Sequence, residues 1–238
     1  MIKFFRHIRQ KLISQNRLSK YLVYALGEIV LVMVGILLAL QVNNWNEGRK
    51  LKKLEASYLK GILDDLKSDT SSINSVVIPD FIKRFETSHT FLDSVINLDL
   101  IINESDLSKL RAPSYLTKSG MAFHPKIGTY NSMISEGNSG LIEKRELFGS
   151  IQELYENWYG MNDQYANRRD REVDAIRTKY AFQFAYNSKL EMFQNKYFLA
   201  DLKMSYDYKN SYIEFLSEGL RNQIISVINE IEKNLSND

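Results

Sequence analysis

Residues Leu22–Val42 read LVYALGEIVLVMVGILLALQV, with Glu28 as the sole charged side chain and an apolar run from Ile29 to Leu40. As an α-helix at about 1.5 Å per residue, this stretch reaches roughly 31 Å, the thickness of a bilayer's hydrocarbon core. Tyr21 and Tyr24 on one side and Trp45 on the other suit the headgroup regions. The pattern predicts one transmembrane helix over residues 21–43, preceded by a basic segment (1–20) and followed by a soluble domain (44–238). A cleaved signal peptide would need small residues at both A-x-A positions ahead of the cut. Ala39 is followed at that spacing by Gln41, so the helix reads as an uncleaved anchor.

The flanks set the expected orientation. Lys3, Arg6, Arg9, Lys11, Arg17 and Lys20 precede the span without an acid among them, whereas Arg49, Lys50, Lys52 and Lys53 follow it beside Glu47 and Glu55. The positive-inside bias then puts the N-terminus in the cytoplasm of a bacterium and the C-terminal domain in the periplasm, anchored in the inner membrane. Arg6, Arg9, Lys11, Arg17, Lys20, Tyr21 and Trp45 are the expected interface anchors. Phe4, Phe5, Ile8, Leu12 and Ile13 recur at helical spacing among the basic residues, which fits either a short helix on the inner leaflet or a plain positive leader.

Glu28 is the costly residue of the span, because an unpaired carboxylate in hydrocarbon costs at least a few kcal/mol. At about 100° per residue, Gly35 and Ala39 fall within about 20° of it around the helix, with Val32 close by. Small residues on one face let helices approach closely, and a polar residue on that face escapes lipid. Glu28, Val32, Gly35 and Ala39 therefore form an expected contact stripe, in a homo-oligomer or against partner membrane helices. Two other readings stay open. Glu28 sits near the headgroups, bonded to Tyr24 one turn earlier, or it carries protons or ions, although a lone span offers no second relay group.

Gly27-Glu28-Ile29, followed by Gly35 to Val42 and by Asn43-Asn44-Trp45-Asn46-Glu47, resembles the hallmark of a bacterial family of single-span membrane proteins known only as a domain of unknown function. Gly128-Thr129-Tyr130, Ser135-Glu136-Gly137, Leu141-Ile142 and Glu146-Leu147 are similar to a second patch of that family. The resemblance implies an anchored helical domain in Gram-negative bacteria and brings no activity, substrate or site residue.

Beyond the span, Leu51, Leu54, Tyr58, Leu59, Ile62, Leu63 and Leu66 keep apolar residues at helical steps, predicting a helix over 44–77 that Pro79 ends or restarts. A second helix is expected over 80–98 with Ile82, Phe85, Leu92, Val95 and Ile96 inward, and Asp106 as the cap of a short one over 107–110. A short helix over 129–135 ends in the turn 136–140, a long one runs over 143–186, and a last one covers 208–235. The fold class is all-α, a transmembrane helix continuing into an elongated antiparallel bundle.

Composition narrows function. The chain has no cysteine, which excludes thiolate nucleophiles and Cys-ligated zinc, and His7, His89 and His124 are too scattered for a His-rich metal site. A net charge of +2 argues against general nucleic-acid binding. Glu86-x-x-His89 is one copy of a di-iron signature that needs two. Ser57-x-x-Lys60 and Lys118-Ser119-Gly120 occur without the sheet such motifs require. Arg168, Arg169, Arg171, Arg177 and Lys179 alternate with acids and read as a solvated face. The dense aromatics between Tyr155 and Phe215 read mostly as core, with a protein-binding face as the other reading. The expectation is a non-enzymatic, cofactor-free interaction or scaffold protein whose partners are the bilayer, other membrane helices and a protein on the bundle. An ion- or signal-coupled subunit using Glu28 is the alternative.

Overall fold

In a computed structural model the described residues are 18–79, 81–82, 90, 92, 117, 122–187 and 189–236. All their regular structure is helical. Helix α1 runs Leu18–Ser72. Ala, Leu, Lys and Glu are together frequent in it and no proline interrupts it, so the helix continues despite its glycines. The π turn Ile73–Val77 follows, and its i→i+5 bond from the Ile78 N–H to the Ile73 carbonyl lets helical backbone continue to Pro79, past the expected end at Val77.

The chain divides into two compact units, residues 1–54 and 55–238. In the first unit the apolar side chains of α1 are exposed, from Leu22 to Val42 and again at Leu51. Leu51 and Leu54, which continue the apolar helical steps of the sequence, are 49% and 38% exposed, and burial on α1 begins at Glu55.

In the second unit, α1 presents Leu59, Ile62, Leu66 and Ile73 to one apolar cluster. Phe81, Phe123 and Ile142 join it, and its other members come from α2 (Gly128–Ser135), α3 (Arg145–Gln152) with its π continuation Glu153–Trp158, the first half of α4 (Tyr159–Lys179), the end of α7 (Lys196–Glu214) with its π continuation Phe215–Leu220, and α8 (Arg221–Ser236). A second cluster joins Leu92, Ile176, Tyr180, Met192, Phe193, Phe198, Leu199, Leu202 and Tyr206 around α5 (Ala181–Tyr186) and α6 (Lys189–Gln194). Leu92 lies inward as expected, but Ile82 is exposed and Phe81 is the buried neighbour. Phe85, Val95, Ile96, Asp106 and the helices expected around them lie outside the described residues.

The helix expected over 143–186 is interrupted by the π turn at Glu153 and by a break at Tyr180. The last helix begins near Lys196, earlier than the apolar pattern suggested. Asn195 caps it, its Oδ1 accepting from the N–H groups of Tyr197 (3.0 Å) and Phe198 (3.3 Å). Gly137, at φ +72°, turns the chain between α2 and the 3₁₀ turn Asn138–Leu141.

Gly61 sets how closely α2 approaches α1. A Cβ there would lie 2.8 Å from the Thr129 Cγ2, on a short side chain that is stiff at χ1. Helix propensity alone favours Gly61→Ala by about 1 kcal/mol. We expect the opposite sign, a net loss of about 1–2 kcal/mol from overpacking. Thr129→Ser, which removes the offending methyl, should restore most of it, as read from thermal unfolding of the full chain in detergent.

Candidate functional site

Glu28, Val32, Gly35 and Ala39 all lie on α1 in the first unit. Val32 is exposed, Ala39 is exposed, and a Cβ at Gly35 would meet nothing within 4 Å, so this face is open. Glu28 is half-exposed among more exposed neighbours. Trp45 is exposed, with the Arg49 guanidinium 5.2 Å from its ring centre. Lys20 and Tyr21 belong to α1, whereas Arg6, Arg9, Lys11 and Arg17 lie outside the described residues.

The second unit holds polar groups that the apolar periodicity hid. Ile62 and Leu66 on α1 and Ile73 at the start of the π turn share one register, and Asp69 falls within it, 2% exposed. Both its carboxylate oxygens accept from the Lys126 N–H at 3.1 Å, and Oδ2 also accepts from the Tyr159 hydroxyl at 2.8 Å. Burial pushes the Asp69 carboxyl up to about 6; the Asp65 charge adds to this, and its hydrogen bonds and Lys126 oppose it. Nearer the start of this unit, Glu55 accepts from the Glu143 N–H (3.2 Å). Tyr58 donates to Glu136 Oε2 (2.6 Å) and accepts from Asn138 Nδ2 (2.9 Å). Glu55, Tyr58 and Asp69 thus tie residues 126–143 to α1, and the second patch of family resemblance lies within or beside that stretch.

A second polar layer separates the two apolar clusters. Asn162, Ala166, Arg169, Val173 and Ile176 share one register on α4, and Leu202, Ser205, Lys209 and Tyr212 share one on α7. Arg169, expected on a solvated face, is 1% exposed. Its Nε donates to Asp170 Oδ1 at 2.9 Å and its guanidinium lies 4.8 Å from the centre of the Tyr212 ring. Burial, then the charge of Arg169, pull the Lys209 ammonium down to about 7. Tyr212 accepts from the Phe123 N–H (2.9 Å) and donates to Asn162 Oδ1 (3.1 Å), while Asn162 Nδ2 donates to the Phe123 carbonyl (3.1 Å). Arg168, by contrast, is surface-bound, reaching the Tyr208 hydroxyl at 3.0 Å. A polar residue inside an apolar register was the available signal for Asp69, Asn162, Arg169 and Lys209.

Among the described residues, no group of three or more His, Asp or Glu side chains is placed to hold a metal. Ser57 and Lys60 are exposed on α1, His124 is exposed, and Glu86, His89, Lys118 and Ser119 lie outside the described residues. A cleft of about 580 Å³ opens beside Lys144, Arg145, Glu230 and Lys233, where charges of both signs alternate. About half of the aromatics between Tyr155 and Phe215 are core, but Tyr165, Phe182, Phe184, Tyr186 and Tyr197 are exposed.

A model described as a family of unknown function (DUF6090) matches residues 28–200, a span that begins at Glu28 and leaves the basic leader outside. No curated protein and no solved structure matches the chain.

Tyr212→Phe leaves the buried Phe123 N–H and Asn162 carbonyl short of a partner and should cost about 1–3 kcal/mol in denaturant unfolding. Tyr208→Phe, which removes an exposed bond, should stay within about 0.5 kcal/mol. Equal effects would show that the Tyr212 bonds contribute nothing beyond a surface contact.

Proposed function

This chain belongs to the DUF6090 family of unknown function, and we propose that it is a non-enzymatic, membrane-anchored interaction protein, presenting its helical domain outside the inner membrane of a Gram-negative bacterium. One observation carries the reading. Within α1 an eighteen-residue window has a mean hydropathy of 2.4, and 0% of it is buried by the rest of the chain. Exposed apolar surface of that extent is unstable in water at about 25 cal/mol per Å² and stable in lipid. A helix satisfies its own backbone hydrogen bonds, so it can cross the hydrocarbon unaided.

The mechanism is positioning. The basic leader holds the N-terminus in the cytoplasm, the span fixes location, and the domain beginning at Glu55 recognises a protein. Assembly runs through Glu28, Val32, Gly35 and Ala39, where small side chains allow close approach and Glu28 is shielded from lipid. The alternative, an ion- or signal-coupled subunit, rests on Glu28 itself as a titrating group.

The cysteine-free chain makes both parts testable. Ser57→Cys in intact cells should react with a membrane-impermeant maleimide; protection until lysis would reverse the orientation. Cysteine at Gly35 or Ala39 should cross-link in native membranes, and cysteine at Leu37, on the opposite face, should not; uniform cross-linking rejects the stripe. Glu28→Gln keeps the hydrogen bond of a protonated glutamate but cannot titrate. Assembly and phenotype that survive Glu28→Gln remove the ion-coupled alternative, and assembly that survives Glu28→Leu removes the buried contact.

A further inference from the structure

We propose that Asp69 is a proton-binding site whose occupancy sets how firmly residues 122–127 are held on α1, with the Tyr155 hydroxyl oxygen accepting the hydrogen bond of the bound proton. An ionised carboxylate has about four lone-pair sites, and the Asp69 oxygens share two donors, the Lys126 N–H and the Tyr159 hydroxyl. Asp65, one turn earlier on α1, adds a like charge, and among the described residues Lys126 faces Asp69 with a positive one. Both the burial and the neighbouring acid favour the neutral acid over the carboxylate.

Tyr155 supplies the other half. It is 7% exposed and its hydroxyl has no hydrogen-bond partner, although it lies within electrostatic reach of both Asp65 and Asp69. Its ring is held by stacking on Tyr130 at 4.4 Å and by an edge contact with Tyr159 at 5.1 Å. Tyr130 turns its own hydroxyl to Glu156 (2.8 Å) and leaves Tyr155 alone. Burial raises the Tyr155 and Tyr159 hydroxyls, so both stay neutral. A buried hydroxyl without a partner costs free energy, and a carboxyl that carries a proton would relieve that cost by turning its O–H to it.

The sign follows from linkage. Folded, Asp69 holds its proton up to about pH 6, against an ordinary value of 3.8. The closed arrangement is therefore strengthened by protonation, fully below about pH 4, and loses that contribution as pH rises through about 6, by up to about tenfold per pH unit. Residues 122–127 should be held tightly in mild acid and loosely above neutrality.

The test uses the full chain in detergent micelles, labelled with ¹⁵N-lysine. The Lys126 amide resonance, identified through Lys126→Arg, should titrate with a midpoint near 6 in the wild type and be flat in Asp69→Asn. The melting temperature of wild type minus that of Asp69→Asn should fall by several degrees from about pH 4.5 to about pH 7.5, since only the wild type gains from the proton. Tyr155→Phe should move the Lys126 midpoint downward. A wild-type midpoint near 4, or an Asp69→Asn profile parallel to the wild type, overturns the proton site. An unmoved midpoint in Tyr155→Phe overturns the role of the hydroxyl. If Asp69→Asn does not fold, the Lys126 midpoints of wild type and Tyr155→Phe still decide the matter.

Discussion

A helix meets its own backbone hydrogen-bonding needs but leaves its side chains to find a surrounding that suits them, and this constraint acts twice on α1. Between Leu22 and Val42 the large apolar side chains described are exposed all round the helix. From Glu55 onward the apolar residues retreat to one face, where Leu59, Ile62, Leu66 and Ile73 are covered by other helices. All-round apolar character ends at Val42, and burial begins at Glu55, where the second unit starts. A helix long and apolar enough to cross a membrane in the first unit and a packed domain in the second are the two physical answers to that constraint.

Packing alone would leave the second unit underdetermined, because apolar contacts are non-directional. Direction comes from polar groups set into apolar registers. Glu55, Tyr58 and Asp69 on α1 receive or donate bonds along residues 126–143, which have little regular ladder of their own beyond one short helix and a 3₁₀ turn. Gly61 lies between these polar anchors and lets Thr129 come close. A slip of α1 by one residue would place a carboxylate against apolar side chains and break these bonds together. The layer of Asn162, Arg169, Lys209 and Tyr212 does the same between α4 and α7. Desolvating two cations there is expensive, and their retention fits a role in fixing register.

Much of the outline was legible in the sequence. An apolar run of bilayer length, few glycines and prolines and sustained three- and four-residue steps point to helices whatever the tertiary context, because helical periodicity is a local property. The turn at Gly137 was legible for the same reason, since a positive φ falls to glycine. The start of α7 was not read, although Asn195 is a local signal; the apolar pattern of 208–235 drew attention to the later segment.

Other features depended on contacts between residues far apart in the chain. Leu51, Leu54 and Ile82 match an inward pattern yet are exposed, since periodicity defines a face without saying whether anything covers it. Arg169 sits in a run of alternating charge yet is buried, because α7 crosses it with Lys209 and Tyr212. Asp69 reads as one more acid on an amphipathic helix until Lys126 and Tyr159 arrive from 57 and 90 residues away. The sequence by itself determined which segments are helical and which stretch is apolar enough for lipid, because neighbours along the chain suffice for both. Only the tertiary structure decided which polar side chains are buried and what they hold, because burial and hydrogen bonding belong to pairs of surfaces, and no single helix carries its partner's.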